Sequence, residues 1–317
     1  MTRPTMRVFD FDMAAARDHY EEHNWVYIPG GVGDEFLREL SSFVHDEFDA
    51  HHVAGRGVGG TKEQAVYEFP EVVEFPGHLF DVVAEVAGLN REGMTLSERH
   101  IKAYDPDAPP DPPAHKDRLS SQVSVGLSID IPEDSRLVVF PEHYREVNPF
   151  NISPDLRASL TEDELPENCL DGAQEVVIAD KPGDVVMFPG SSMWHKRRNA
   201  ANATNLYLKF NDFGSDPLGE DPATPERRRG TLETLSGGGF ADRLAVLARR
   251  LDTVARALTR EPGREIAIAD VWGEGKVQLT PAERELVAGL DGGRRVSELG
   301  GENAVRRLAE RGVIDLV

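Results

Sequence analysis

Apolar and polar positions divide the chain into stretches of different period. Residues 14–24 are predicted as a short helix, and the apolar run Trp25-Val26-Tyr27-Ile28 as a strand halted by Pro29-Gly30-Gly31. Over 34–48, Phe36, Leu37, Leu40, Phe43 and Val44 recur at helical spacing, the apolar stripe of an amphipathic helix. From Leu96 to Asn211 the period changes to two, with short runs broken by turn residues, the pattern of a β-sandwich or barrel. The clearest run is 121–130, where Val123, Val125, Leu127 and Ile129 share one face and Gln122, Ser124, Gly126 and Ser128 the other. Further strands are predicted over 136–140, 175–179, 184–188 and 205–210. The proline-rich run DPDAPPDPP at 105–113 reads as a stiff, solvated acidic loop, because proline cannot donate to a ladder.

Past Ser236-Gly237-Gly238-Gly239 the pattern changes again. Leu244, Leu247, Leu251, Val254 and Leu258 step by three and four and predict one amphipathic helix. Two strands follow at 266–271 and 276–279, then a helix opened by Thr280-Pro281 and reaching Leu290. A turn at Asp291-Gly292-Gly293, a helix over 302–311 stopped by Gly312 and a strand over 313–316 complete the chain. This order looks like a small winged-helix-like α/β module. The predicted organisation is a mainly β domain over 1–235, a linker and helix over 236–262, and the module over 263–317.

Composition narrows the function. With 317 residues, 39% of them hydrophobic and 29% charged, the chain can bury sizeable cores. Its net charge of −21 disfavours nucleic acid and anionic membrane surfaces, which select basic faces. That charge is confined to residues 1–239, with 43 acidic and 22 basic side chains, whereas 240–317 hold 13 of each. All ten histidines lie in the first part, between His19 and His195. The lone cysteine, Cys169, supplies neither an intrachain disulfide nor a thiolate zinc site. No apolar run is long enough for a membrane span, and the polar N-terminus does not resemble a signal peptide, so a cytoplasmic protein is expected.

Three His-x-Asp/Glu pairs occur, about as many as chance gives ten histidines in so acidic a chain. His19-x-Glu21 and His45-x-Glu47 fall on predicted helices, where residues two apart diverge. His115-x-Asp117 follows a loop and enters an expected strand, where residues two apart share a face. His195 closes a strand and Pro-Gly turn, DVVMFPGSSMWH. Two imidazoles and a carboxylate on a β scaffold are the donor set of non-haem Fe(II) oxygenases, with open coordination positions for substrates.

These segments resemble the phytanoyl-CoA dioxygenase-like branch of the Fe(II)/2-oxoglutarate oxygenases over residues 10–213. HYEEHNWVYIPGGVGDEFLRELSSFV is similar to that family's opening helix, strand and second helix. SRLVVFPEH, ending at His143, resembles the strand that closes on Pro-Gly-Ser-His, and KPGDVVMFPGSSMWH resembles the segment carrying the distal histidine. The resemblance implies a double-stranded β-helix (jelly roll) with His115, Asp117 and His195 as iron ligands, and Fe(II), 2-oxoglutarate and O2 as reactants. Oxidative decarboxylation to succinate and CO2 is then coupled to C–H oxidation. A carboxylate at Asp117 favours hydroxylation or a related oxidation of a small biosynthetic metabolite over halogenation.

The chain departs from the family where an arginine usually meets the far carboxylate of 2-oxoglutarate, ten to fourteen residues past the distal histidine. Asn205 and Lys209 occupy the ends of that window, on one face with Tyr207. Lys209 is the expected anchor, a point charge without the bidentate fork of arginine. Arg197 and Arg198 are further candidates, Lys102 and Tyr104 are placed beside the cosubstrate, and His143 and Tyr207 in the substrate pocket. Acidity of the domain points to a neutral or cationic substrate. Two alternatives stay open: a metal-dependent β-helical enzyme that does not use 2-oxoglutarate, and a transcription regulator with a degenerate jelly-roll sensor. In the neutral module Arg294, Arg295, Arg306, Arg307 and Arg311 cluster, yet the charge balance favours a homodimer contact or docking of a peptide or carrier protein over DNA.

Overall fold

The computed structural model describes residues 6–46, 48, 62–73, 75–143, 146–258 and 265–317. The chain divides into two compact units, Met1–Asp212 and Phe213–Val317. The first opens with α1 (Met13–His23), β1 (Val26–Ile28), α2 (Asp34–Asp46), β2 (Lys62–Val66) and α3 (Gly77–Ala87). The helix predicted over 34–48 thus stops short, and residue 47 lies outside the described residues. Then come β3 (Thr95–Tyr104), β4 (Val123–Asp130), β5 (Arg136–Phe140), α4 (Ser153–Ser159) and α5 (Pro166–Cys169). The unit closes with β6 (Val176–Ile178), β7 (Val185–Phe188), β8 (Trp194–Arg198) and β9 (Thr204–Asn211).

Two antiparallel sheets result, in the orders β1-β7-β4-β9-β3-β2 and β6-β5-β8. This is a mainly β architecture consistent with the expected jelly roll. Val123, Val125, Leu127 and Ile129 of β4 join Leu206, Leu208 and Phe210 of β9 in one core, together with Phe36 and Leu40 of α2 and Leu79 and Val83 of α3. The helices therefore cover the apolar face of the larger sheet. Its other face is buried as well, for Val186 and Phe188 of β7 pack with Leu137 and Val139 of β5. Ser124 and Ser128 of β4 and Asn205 and Lys209 of β9 are consequently at most 2% exposed. Buried polar groups need partners, so this interior face carries hydrogen-bonded polar chemistry rather than solvated side chains.

In the second unit, α6 (Ala223–Gly237) precedes β10 (Ala245–Leu247), β11 (Leu251–Leu258), β12 (Glu265–Val271) and β13 (Gly275–Leu279). They are followed by α7 (Pro281–Ala288), α8 (Val296–Leu299), α9 (Glu302–Glu310) and β14 (Ile314–Leu316). Strands β11, β12 and β13 form one antiparallel sheet, while β10 pairs with β14. Val271, Val277, Leu279, Val305, Leu308 and Ile314 share its core. The helix expected over 244–258 is therefore two strands. Its three-and-four spacing arises because a turn, closed by the Leu251 N–H to the Ala248 carbonyl at 3.0 Å, separates the two strands. The predicted break at 235/236 falls inside α6, and residues 259–262 of that predicted linker lie outside the described residues. No helix among the described residues is long and apolar enough to cross a membrane.

Candidate metal centre

His115 and Asp117 lie just before β4, and His195 lies in β8. The backbone pins them together: the His115 N–H donates to the His195 carbonyl and the His195 N–H to the His115 carbonyl, both at 2.9 Å. Among the described residues this bridge is an isolated one, so His115 and Asp117 are not in a strand as expected. Asp117 is fixed instead by its N–H to the Gly190 carbonyl at 2.8 Å and by its own carbonyl accepting from Asn148 Nδ2 at 2.9 Å. One donor atom from each of His115, Asp117 and His195 lies within 4.8 Å of the others, close enough to share one ion.

Local contacts leave the donor atoms in suitable states. His195 Nδ1 is 3.0 Å from the Met193 carbonyl, which can only accept, so Nδ1 carries the proton and Nε2 presents its lone pair. Burial lowers the His195 pKa and keeps the ring neutral. Burial alone would raise the Asp117 carboxyl, but the Lys209 ammonium beside it holds it well below the usual carboxylate range. Ser124 Oγ donates to Asp117 Oδ2 at 2.6 Å, and the Lys209 ammonium donates to the same oxygen and to Ser124 Oγ at 3.0 Å. Gly190 is required here, since a Cβ would come within 1.9 Å of Ser124 Oγ and 2.5 Å of Asp117 Oδ2.

The triad opens on a small cavity of about 30 Å³ also lined by Lys62, Lys102, Tyr104, Arg197, Tyr207 and Lys209. Strand register places these groups, pairing His100 with Tyr207 and Ser124 with Lys209. Lys102 pairs with Glu98 at 2.7 Å, and Arg118 holds the other Glu98 oxygen at 2.8 Å. Arg197 is buried and grips Asp180 with Nη1 at 3.1 Å and Nη2 at 2.8 Å. Lys62 has no carboxylate partner among the described residues. Burial, reinforced by Lys102, lowers its pKa to about 8. Burial likewise raises Tyr104, and it raises Tyr207 to about 12, so both phenols stay protonated.

Three expected residues are elsewhere. Arg198 faces outward, bonded to Glu175 at 2.5 Å and Asp111 at 3.1 Å. Asn205 is on the interior face but outside the cavity lining, 3.4 Å from Ser128 Oγ. His143 follows β5, outside that lining, with a buried Nδ1 that meets no partner among the described residues. Arg197, the other arginine candidate, shares His195's face of β8 and lines the cavity, as does Lys62, which the sequence did not single out. Asp111 makes the 105–113 loop more than a solvated run, since it also pairs with Lys196 at 2.7 Å. The cationic lining runs against the neutral or cationic substrate expected from the acidity of the whole domain.

The arginine cluster of the second unit is largely engaged internally. Arg307 bonds the Glu283 carboxylate, Arg306 lies 4.7 Å from the Phe240 ring centroid, and Arg294 donates to the Gly289 carbonyl.

No protein-family model and no curated protein matches the chain. Among solved structures it is similar to the non-haem α-ketoglutarate-dependent carbocyclase SnoK from nogalamycin biosynthesis, at 15% identity over 64% of this chain and 85% of that one, with a TM-score of 0.49. It is also similar to the epimerase SnoN from nogalamycin biosynthesis, at 14% identity over 63% of this chain and 80% of that one, TM-score 0.45. A third likeness is to AviO1 from Streptomyces viridochromogenes, at 13% identity over 64% of this chain and 96% of that one, TM-score 0.43.

Proposed function

We propose that the first unit is an Fe(II)- and 2-oxoglutarate-dependent oxygenase acting on a small biosynthetic metabolite, with His115, Asp117 and His195 holding the iron. The observation that carries this reading is the union, in one cavity, of a two-imidazole, one-carboxylate donor set with a surplus of cations. Such a donor set leaves coordination positions open, which suits non-haem Fe(II). When bound, iron would supply the reductive activation of O2 coupled to decarboxylation of 2-oxoglutarate.

The chain's own groups do the rest. The Met193 carbonyl fixes the His195 tautomer, and Ser124 orients the Asp117 carboxylate. Lys209 is the cation suited to the far carboxylate of a dicarboxylate, as a point charge, while Arg197, its fork held by Asp180, adds positive potential to the lining. Lys102 and Tyr104 border that position and Tyr207 the substrate side. With about 30 Å³ free, the flexible lysine stems must swing aside for a ligand to enter.

Anaerobic titration of the Fe(II)-loaded protein with 2-oxoglutarate tests the reading. A weak visible charge-transfer band is expected, absent in His195→Ala, together with succinate formation in air. A metal-loaded protein showing neither band nor succinate overturns it.

A further inference from the structure

The second unit contains a cavity of about 640 Å³ lined wholly by its own residues, within the range of small-molecule sites. One wall is α6, which offers Pro225, Arg228 and Leu232, and another is the turn Ala248-Arg249-Arg250 between β10 and β11. Leu232, 43% exposed, gives this wall an apolar surface open to a ligand.

The charges around this cavity do not cancel. Arg228 donates to the Ala309 carbonyl, to the Glu310 carbonyl at 2.9 Å and to Glu274 at 3.4 Å. Arg249 is held by Asp221 at 3.1 Å, although its buried Nε meets no acceptor. Arg229 lies 3.8 Å from Glu233, and Asp315 accepts from Thr231 Oγ1 at 3.3 Å. Arg250 alone in this lining has a guanidinium with neither a hydrogen bond nor an ion pair among the described residues, and its Nε is buried.

The backbone nevertheless makes room for that guanidinium. A Cβ at Gly273 would fall 2.5 Å from Arg250 Nη2, and one at Gly219 would fall 3.5 Å from its Cζ. Both glycines hold positive φ, 79° and 73°, where a side chain is strained. A cation seated in a fitted slot without a counter-ion carries a desolvation cost that an incoming anion relieves.

We propose that this cavity is a second ligand site, for a small molecule carrying a carboxylate on an apolar body. The carboxylate pairs with the Arg250 guanidinium, and the apolar body lies against Leu232, Pro225 and Ala248. The site is independent of the metal centre and of the reading given to it.

Calorimetric titration of the full-length protein with decanoate, and with decanol as its uncharged counterpart, tests the proposal. Decanoate is expected to bind one to one and at least tenfold tighter than decanol. Arg250→Met should abolish that preference, and Arg250→Lys should retain part of it. Should Arg250→Met fail to fold, Leu232→Asp, at an exposed helix position, sets a like charge on the wall and should weaken decanoate at least tenfold. Absence of saturable decanoate binding, equal affinity for decanol, or decanoate binding unchanged in the folded variants overturns the proposal.

Discussion

The Lys209 ammonium donates to Oδ2 of Asp117, the same oxygen that accepts from Ser124. The carboxylate grouped with two imidazoles thus already carries a cation from its own chain, and any dication bound there would sit beside a fixed positive charge. That charge opposes the metal and favours an anion bound to it.

Replacing Lys209 should therefore separate the two affinities. Lys209→Met is expected to raise the 2-oxoglutarate concentration for half-maximal charge-transfer absorbance by about tenfold or more, the loss of one charge-assisted contact. Affinity for Mn(II) alone, followed by electron paramagnetic resonance, should not fall. Weaker Mn(II) binding with unchanged 2-oxoglutarate affinity would count against this division of roles.

Gly190→Ala should disable the centre without contacting a metal. Its methyl group would collide with Ser124 Oγ and Asp117 Oδ2, at 1.9 and 2.5 Å, and displace the carboxylate. Disturbing the support of a metal ligand costs about 10–100-fold in metal affinity. Gly230→Ala, in α6 with nothing within 4 Å of the added methyl, is the matched control and should leave Mn(II) affinity unchanged.

Neighbouring arginines of β8 should behave oppositely. Arg197→Met strands the Asp180 carboxylate, itself 4% exposed, and should destabilise the first unit by about 3–5 kcal/mol. Arg198→Met breaks partly exposed pairs with Glu175 and Asp111 and should cost about 1 kcal/mol or less. Urea denaturation of both variants measures the difference, and equal losses would remove the distinction between the inward and outward faces of β8.

Acid should loosen the second unit at Glu283. Its carboxyl, bonded by Arg307, by the Thr280 hydroxyl and by the Thr280 N–H, has its pKa lowered to about 2. A depressed folded-state pKa contributes stability that is present above the ordinary carboxyl value near 4.5 and is lost as pH falls towards 2. Glu283→Gln should therefore lower the unfolding midpoint at pH 7 and have much less effect at pH 2.5, as read by circular dichroism.

Much of this was legible in the sequence, for reasons that differ by residue. The alternation of β4 and β9 assigned Leu206, Leu208 and Phe210 to one face and Asn205, Tyr207 and Lys209 to the other, because strand period is insensitive to packing. It could not show that the polar face is also interior, which depends on the second sheet closing over it. Of the two arginine candidates, Arg197 lies two residues from His195 and so shares its inward face of β8, whereas Arg198 points to the other side. Lys62 follows residues 49–61, which have no apolar pattern to place it. The helix α6 was missed because its buried positions, Thr224, Thr231 and Leu235, form no apolar stripe. Net charge misled about the pocket because acidic side chains dominate the domain as a whole while cations line the cavity.

The reciprocal backbone bridge between His115 and His195 has a consequence for metal choice. Two imidazoles tied through their main chains are assembled by folding itself, before an ion arrives. Such a ready-made trio ranks divalent ions by their inherent avidity, copper and zinc ahead of iron. If the proposed centre takes iron, its occupancy would be decided by the supply of competing ions around the newly folded chain, and purification in the presence of zinc should yield a folded protein without the charge-transfer band expected of the iron form.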